Sequence, residues 1–448
     1  MVRARAEGNF SQVLRQQRLR CGLTQLQLAA LSTISVRAIR DMESGRVASP
    51  RRATVALLAG ALRLTGQART AFSRAALIES SHLDKMVTES MRIDAPVWTT
   101  DGLVGRDHEL DAITGLLAAE PRQRLLTITG ISGVGKTRLA LEISQRVHAE
   151  SDSPLLWVPV AETRGDWIPD PAPPTLIEAM AELITGQADT SGELAAIIGT
   201  APMIVFVDGI DDVPVRAPAL LRLLTDCPQV TVVATARVPL GIRGECVLPL
   251  APLAVPEPGQ ERDLDSLGQI PAVSLLLRQL APVQPGFRLN PANASMVAGL
   301  CRILDGLPAA LGLAASRCLM EPLPHLYEQL IDDPRNLHAL ICHHPEPMLY
   351  ASVLRSIETL PKPHRTLLNR LLQIDDCWTV DDAVGVTGLS QPELTRSLHV
   401  LFTRGLLRRV ERHGSYFISM LNIVRQACAG IHDVPLPRAD QARLLAIT

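Results

Sequence analysis

Apolar residues recur with helical spacing through the first sixty positions. Phe10, Val13, Leu14 and Leu19 share one face of a predicted amphipathic helix that ends at Gly22. Thr24 is placed to N-cap a second helix, Gln25 to Leu31. Ser35 is placed to N-cap a third, Val36 to Glu43, closed by Gly45. Ser32-Thr33-Ile34 makes the short turn between them, Ala29 is small enough for close packing, and Ile39 and Met42 should face inward. Later the period shortens. Leu125-Leu-Thr-Ile-Thr129, Met203-Ile-Val-Phe-Val-Asp208 and Val230-Thr-Val-Val-Ala-Thr235 are unbroken apolar runs of strand length. A helical stretch, Arg138 to Val147, follows the first of them. Proline-rich breaks at 249–258 and 281–291 bracket further predicted helices: Ala272 to Leu280, Ala292 to Leu304 and Leu307 to Leu319. Leu354 to Leu360, His364 to Leu372, Thr379 to Val386 and Gln391 to Gly405 also read as helices. Leu406 to Val410 and Ser415 to Ser419 form a predicted hairpin across Glu411 to Gly414.

Composition narrows this picture. The 448 residues suggest about three domains. Aromatics are 3% and small aliphatic residues fill the core, so helices should dominate. An apolar share of 47% excludes a disordered chain. No long uncharged apolar stretch predicts a membrane span, and MVRARAEGNF lacks the apolar core of a secretory leader. Eight cysteines without a C-x-x-C pair argue against a disulfide framework or a common zinc module, and make the cytoplasm the expected compartment. Cys342-His343-His344 reads as a loop, because adjacent residues rarely aim at one ion.

Charge is uneven. Residues 1–80 hold 13 arginines against four acidic residues, about +9, while the remainder carries 31 basic and 42 acidic residues, about -11. A basic head on an acidic body points to a polyanion partner for the head, with a solvated basic surface as the plainer reading. On the third helix Arg37 and Arg40 lie one turn apart, where a forked donor meets a guanine edge. Gln25 and Ser35 sit at helix N-termini and suit phosphates. The segment resembles the Cro/repressor-like (XRE) helix-turn-helix family through Leu23-Thr-Gln-Leu-Gln-Leu-Ala29, Ser35 to Gly45, and Arg51 to Leu62 as its fourth helix. Some such domains bind protein instead of DNA.

The central segment carries phosphate chemistry. Gly130-Ile-Ser-Gly-Val-Gly-Lys-Thr137 stands between a predicted strand and a predicted helix, as a Walker A loop requires. Gly130, Gly133 and Gly135 let backbone N–H groups converge on phosphate oxygens. Lys136 supplies a point charge and Thr137 a hydroxyl for Mg²⁺, with Arg138 next to them. Asp208 ends an apolar strand in the Walker B manner and is the second candidate for the Mg²⁺ shell. Asp211 and Asp212 follow; either orients water or belongs to a solvated turn. Arg237, at the end of the third strand, is placed to reach a γ-phosphate.

Leu103-Val-Gly-Arg-Asp-His-Glu-Leu110, the Walker A loop, Thr235 to Glu245, and Cys301-Arg-Ile-Leu-Asp-Gly-Leu-Pro-Ala-Ala310 together resemble the STAND class of P-loop NTPases, specifically the NB-ARC-like ATPases of actinobacterial regulators. The resemblance implies that Val104 and Arg106 lie by the adenine, that Arg237 is the first sensor, and that Pro308 packs on the nucleotide. It departs at Gly209, where many members have a second acid, which favours a slow switch over fast hydrolysis. It departs again at Met420-Leu421-Asn422, where many have Met-His-Asp; His413 nearby reads as a loop residue.

The resulting expectation is a multidomain chain. An all-α helix-turn-helix domain spans 1–80 and a linker 81–100. An α/β P-loop NTPase with a parallel sheet spans 101–250, a helical lid 251–345, a winged-helix-like domain 346–432 and a tail 433–448. The expected activity is an ATP-dependent transcriptional regulator that binds double-stranded DNA, uses ATP/ADP and Mg²⁺, and assembles as a homo-oligomer. No 34-residue repeat appears, so the input is either a separate sensor protein or the nucleotide itself, and RNA polymerase is a further expected partner. The alternative is a STAND signalling ATPase in defence, with the first domain as a protein adaptor.

Overall fold

The computed structural model describes residues 10–44, most of 52–64, 72, 102–119, 123–150, 154–160, 198, 202–210, 213–333, most of 336–374 apart from 338–339 and 341–347, 376–412 and 414–432. The expected linker at 81–100 and tail at 433–448 lie outside them, as do Gly45, Asp211, Asp212, His343, His344 and His413.

The described elements run α1 (Phe10–Arg20), α2 (Gln25–Ser32), α3 (Val36–Glu43), α4 (Arg52–Ala61), α5 (Asp107–Ala118), β1 (Leu125–Thr129), α6 (Lys136–Glu150), β2 (Leu155–Pro159), β3 (Met203–Ile210), α7 (Val213–Asp226), β4 (Val230–Ala236) and β5 (Cys246–Pro249). Then come α8 (Leu264–Gln269), α9 (Pro271–Leu280), α10 (Ala294–Ile303), α11 (Pro308–Arg317), α12 (Leu323–Asp332), α13 (Met348–Glu358), α14 (Lys362–Leu371), α15 (Val380–Thr387), α16 (Gln391–Thr403), β6 (Leu407–Arg412), β7 (Ser415–Met420) and α17 (Asn422–His432). The chain divides into two compact units. One comprises 1–98, 147–233 and 242–244; the other comprises 99–146, 234–241 and 245–448.

In the first unit, α1 to α4 close over a small core of Phe10, Leu14, Leu28, Ile39, Met42, Leu58 and Phe72. Thr24 caps α2 in a reciprocal box with Gln27, and the Ser35 hydroxyl accepts from the Ala38 N–H to start α3. Thr33 turns the chain between them at φ +59°, a left-handed position for a β-branched residue. The inside of this domain also carries charge. Arg18 donates through Nε and Nη2 to both oxygens of Glu43, at 2.6 and 2.9 Å, and through Nη1 to the Leu23 carbonyl at 2.8 Å. The same unit holds β2 parallel to β3, in register from Leu155 opposite Ile204 to Pro159 opposite Asp208. Trp157 stacks on Phe206 at 5.7 Å between them.

The second unit is built on β1, buried at all five residues, with β5 parallel to it from Leu126 opposite Cys246 to Thr129 opposite Pro249. Strand order reads β2-β3 in the first unit and β1-β5 in the second. The helices after β5 pack through a continuous set of buried Leu, Val and Ala residues, among them Leu276, Leu300, Leu311 and Leu326. Pro271, Pro308 and Pro322 stand at or just before helix starts, where a missing N–H costs nothing. Helices α13 to α16 precede the antiparallel hairpin β6–β7, which pairs Leu407 with Met420 and Arg412 with Ser415.

Several elements differ from the sequence reading. Strands β2 and β5 had no predicted counterpart. Helix α6 begins at Lys136, two residues before Arg138, so the lysine belongs to the first helical turn. Strand β3 continues past Asp208 through Gly209, which adopts φ +83°, to Ile210. Residues 422–432, left without an element in the sequence reading, form α17.

Candidate nucleotide and DNA sites

The phosphate-loop candidate lies within the second unit. Thr129 ends β1, and Gly130, Gly133 and Gly135 then adopt φ of +144°, +77° and +103°. Such angles strain any L side chain, so the local sequence demands glycine. Space demands it too. A Cβ on Gly130 would stand 2.9 Å from the Leu250 carbonyl oxygen, and one on Gly133 would stand 2.7 Å from the Ala309 Cβ and 2.9 Å from Leu349 Cδ1.

The loop's carbonyls are held by protein donors. Lys136 Nζ donates to the Gly130 and Ile131 carbonyls, each at 2.9 Å. The Ala309 N–H donates to the Gly133 carbonyl at 3.1 Å, and Arg106 Nη2 to the Val134 carbonyl at 3.3 Å. A carbonyl and the N–H of the same trans peptide point in opposite directions. Fixing the carbonyls therefore fixes where the loop's N–H groups aim. A glycine cradle of this kind at the first turn of α6, with lysine in that turn and an exposed Thr137 beside it, fits a polyphosphate.

Segments distant in sequence converge here. Pro308 Cγ lies 3.9 Å from where a Gly135 Cβ would be. Gly405, after α16, approaches Ile131 so closely that a Cβ there would lie 2.9 Å from its backbone nitrogen. Arg237 Nη1 donates to Ser352 Oγ at 3.3 Å, one turn along α13 from Leu349. Val104 is half-buried just before Gly105, and Arg138 pairs with Glu142 at 3.2 Å. Asp208 lies in the first unit, half-buried, its carbonyl accepting from the Val160 N–H at 2.8 Å.

Sequence reasoning missed Leu349, Ser352 and Gly405, because nothing local marks a residue whose partner lies a hundred or more positions away. Met420-Leu421-Asn422 closes β7 and opens α17. The Asn422 amide donates to the Arg302 and Ile303 carbonyls at 3.1 and 3.2 Å. The seven described cysteines are free thiols, and burial pushes Cys301 and Cys428 up to about 12. Among the described residues no cluster of three His, Cys, Asp or Glu side chains could hold a metal.

In the helix-turn-helix domain, Arg37 and Arg40 are exposed on α3, the Arg37 side chain at 93%, while Ile39 and Met42 are buried beneath them. Ser35 is exposed at the same helix start. The Gln25 side chain is bonded within the domain. Its Nε2 donates to Glu43 Oε2 at 2.7 Å, because a carboxylate already forked by Arg18 still has a lone pair to fill. Burial pushes the Glu43 carboxyl up, but the bonds from Arg18 and Gln25 and the charges of Arg18 and Arg15 outweigh it and hold the group below its usual range.

No described helix is long and apolar enough to cross a membrane. Residues 102–235 match the AAA ATPase domain model and residues 9–72 the helix-turn-helix domain model. A Mycobacterium tuberculosis protein provisionally named an HTH-type transcriptional regulator is 32% identical over 209 residues, 45% of this chain and 21% of that protein. The chain thus spans about a fifth of the length of that curated relative. An uncharacterised Mycobacterium bovis protein is 28% identical over 296 residues, 63% of this chain and 68% of that one. The Pyrococcus horikoshii STAND protein with a tetratricopeptide repeat sensor aligns over 77% of this chain and 44% of its own, at 16% identity and a TM-score of 0.28. That score establishes no shared arrangement of the whole chain. The two domain models, the strand order and the glycine loop agree with one another: this chain joins a helix-turn-helix domain to a P-loop ATPase domain of the AAA type.

Proposed function

We propose that the chain is a transcriptional regulator of the STAND type, in which an NB-ARC-like module binds ATP or ADP with Mg²⁺ and sets the activity of a DNA-reading head. The observation that carries this reading is the set of contacts on the glycine loop. Pro308, Ala309, Leu349 and Gly405 all touch it, so whatever occupies the loop is felt by segments up to Gly405. A switch needs only a difference in ligand affinity between two arrangements, and about 1–3 kcal/mol of coupling is enough.

In this reading Gly130, Gly133, Gly135, Lys136, Thr137 and Arg138 hold the phosphates. Thr137 and Asp208 complete the Mg²⁺ shell. Val104 lies by the adenine, Pro308 packs on the nucleotide, Arg237 senses the γ-phosphate, and Asp211 is the candidate for orienting water. The bound metal would neutralise phosphate charge. Arg37 and Arg40 read base edges while Ser35 and the Gln25 backbone meet phosphates. The domains follow as 1–80, 101–250, a helical lid at 251–345 and a winged-helix-like domain at 346–432, with a linker at 81–100 and a tail at 433–448. A DNA partner places the chain in the cytoplasm, as a homo-oligomer that a protein sensor or RNA polymerase would engage.

Genome-wide DNA capture by the intact chain, repeated with K136A and with R37A and R40A, tests this. A discrete set of sites lost in the arginine variants and redistributed in K136A is expected. Retention of every site in both arginine variants would remove α3 as the reading helix. Binding indifferent to nucleotide and to K136A would remove the switch, and capture of no specific sites would leave the defence-adaptor alternative.

A further inference from the structure

We infer that Arg106 is a positioning residue for the phosphate loop, setting the Gly135 N–H toward the polyphosphate, and that it does not read the base. The inference rests on the nucleotide reading of that loop.

Arg106 follows Gly105, whose left-handed φ of +62° is packed against Pro271 at the start of α9. The residue stands before α5 and does not cap it through its side chain. Instead the side chain runs inward and is 5% exposed. Nη2 donates to the Ala251 carbonyl at 2.6 Å and to the Val134 carbonyl at 3.3 Å, while Nη1 donates to Glu109 Oε1 at 2.7 Å. One planar guanidinium therefore ties the start of α5, the phosphate loop and the chain leaving β5.

The consequence is geometric. Val134 C=O and Gly135 N–H belong to one trans peptide and point in opposite directions. Holding the carbonyl toward Arg106 turns the Gly135 N–H away from it. Gly135 is the residue before Lys136, and its φ of +103° leaves that peptide free to flip unless something holds it. Two further donors reach the loop from other places. Lys136 is the charge a phosphate would engage, and Ala309 sits on a different helix. The partners of Arg106 are one carboxylate and two carbonyls, all protein, so a nucleotide need displace none of them. With a buried guanidinium committed in this way, base recognition falls to its neighbours.

The test uses the full chain with Mg²⁺ and compares affinities for ATP, GTP and inorganic tripolyphosphate in wild type, R106A and R106K, together with amide exchange across residues 130–139. R106A should weaken all three ligands by the same factor, about tenfold or more, and leave the ATP-to-GTP ratio unchanged. R106K keeps the charge with a single donor centre, so it should recover part of the loss and still speed exchange in the loop without ligand. If R106A does not fold, R106K carries the same comparison. Loss confined to ATP, with the ATP-to-GTP ratio collapsing and tripolyphosphate binding intact, would overturn the inference. So would unchanged affinity for all three in both variants. Failure of the wild type to bind either ATP or tripolyphosphate would overturn the nucleotide reading itself.

Discussion

Asp305 and Asn422 cap each other's helices. The Asn422 amide satisfies carbonyls at the end of α10, and the Asp305 carboxylate accepts from the Ile423 N–H at 3.3 Å, in the first turn of α17. Asp305 pays for this with a left-handed φ of +56° and almost complete burial. Burial pushes its carboxyl up to about 6, against the pull of Arg408, the Ile423 and Asn422 amides, and Arg425. A folded value above the unfolded one means that the native state holds the proton more tightly. Its contribution is therefore fully present below about pH 4 and is lost as pH rises through about 6. D305N, which keeps an acceptor for Ile423, should flatten that dependence, and denaturant titrations between pH 4 and 8 will show whether the slope disappears.

The Arg18–Glu43 pair should behave in the opposite sense. Both side chains are less than a tenth exposed. Removing one partner leaves the other buried and unpaired, which costs about 3–5 kcal/mol. E43Q should therefore raise amide exchange throughout α1 to α3 while leaving the second unit unchanged. Because the Glu43 carboxyl is held low, its stabilisation is present above the ordinary glutamate range and is lost as pH falls through the lowered folded value. Equal exchange in wild type and E43Q would show that the pair contributes nothing.

Thr33 offers a gain. A β-branched residue at φ +59° bears a steric cost of roughly 1–2 kcal/mol that glycine avoids. T33G should stabilise the helix-turn-helix domain by about 1 kcal/mol, read as slower exchange in α2 and α3. The backbone freedom of glycine in the unfolded chain trims the benefit. A destabilised variant would mean that the Thr33 hydroxyl, bonded to the Ser32 carbonyl at 2.6 Å, outweighs the strain.

Gly405 should be intolerant of a side chain. G405A adds strain at φ +70° and a methyl 2.9 Å from Ile131. The segment after α16 would then have to leave the loop. Faster release of a fluorescent ADP analogue is the expected outcome, by about tenfold if one packing contact worth about 1.4 kcal/mol is lost. Unchanged release with unchanged stability would mean that this contact does not restrain the ligand.

The parts legible in the sequence were those fixed by neighbours. Gly130, Gly133 and Gly135 announce their loop because backbone angles require glycine at that spacing. Thr24 and Ser35 announce helix starts because a capping oxygen must stand three residues before the amide it satisfies. What stayed hidden depends on distance along the chain. Strand β5 is four residues without an apolar alternation, and it becomes a strand only because β1 lies beside it. The carbonyls that Arg106 holds are 28 and 145 positions away. The bond from Gln25 to Glu43 stayed hidden because a polar residue at a helix start looks the same whether it faces a phosphate or a carboxylate.

The hydrogen bond from Ala309 to the Gly133 carbonyl also sets a schedule. At about 5–20 residues per second, Ala309 is added to the chain roughly 10–35 s after Gly133. For that interval the nascent glycine loop lacks the partner that fixes one of its peptides. A ribosome-bound chain ending before Ala309 carries every residue of the loop's motif without the hydrogen bond that holds the Gly133 carbonyl.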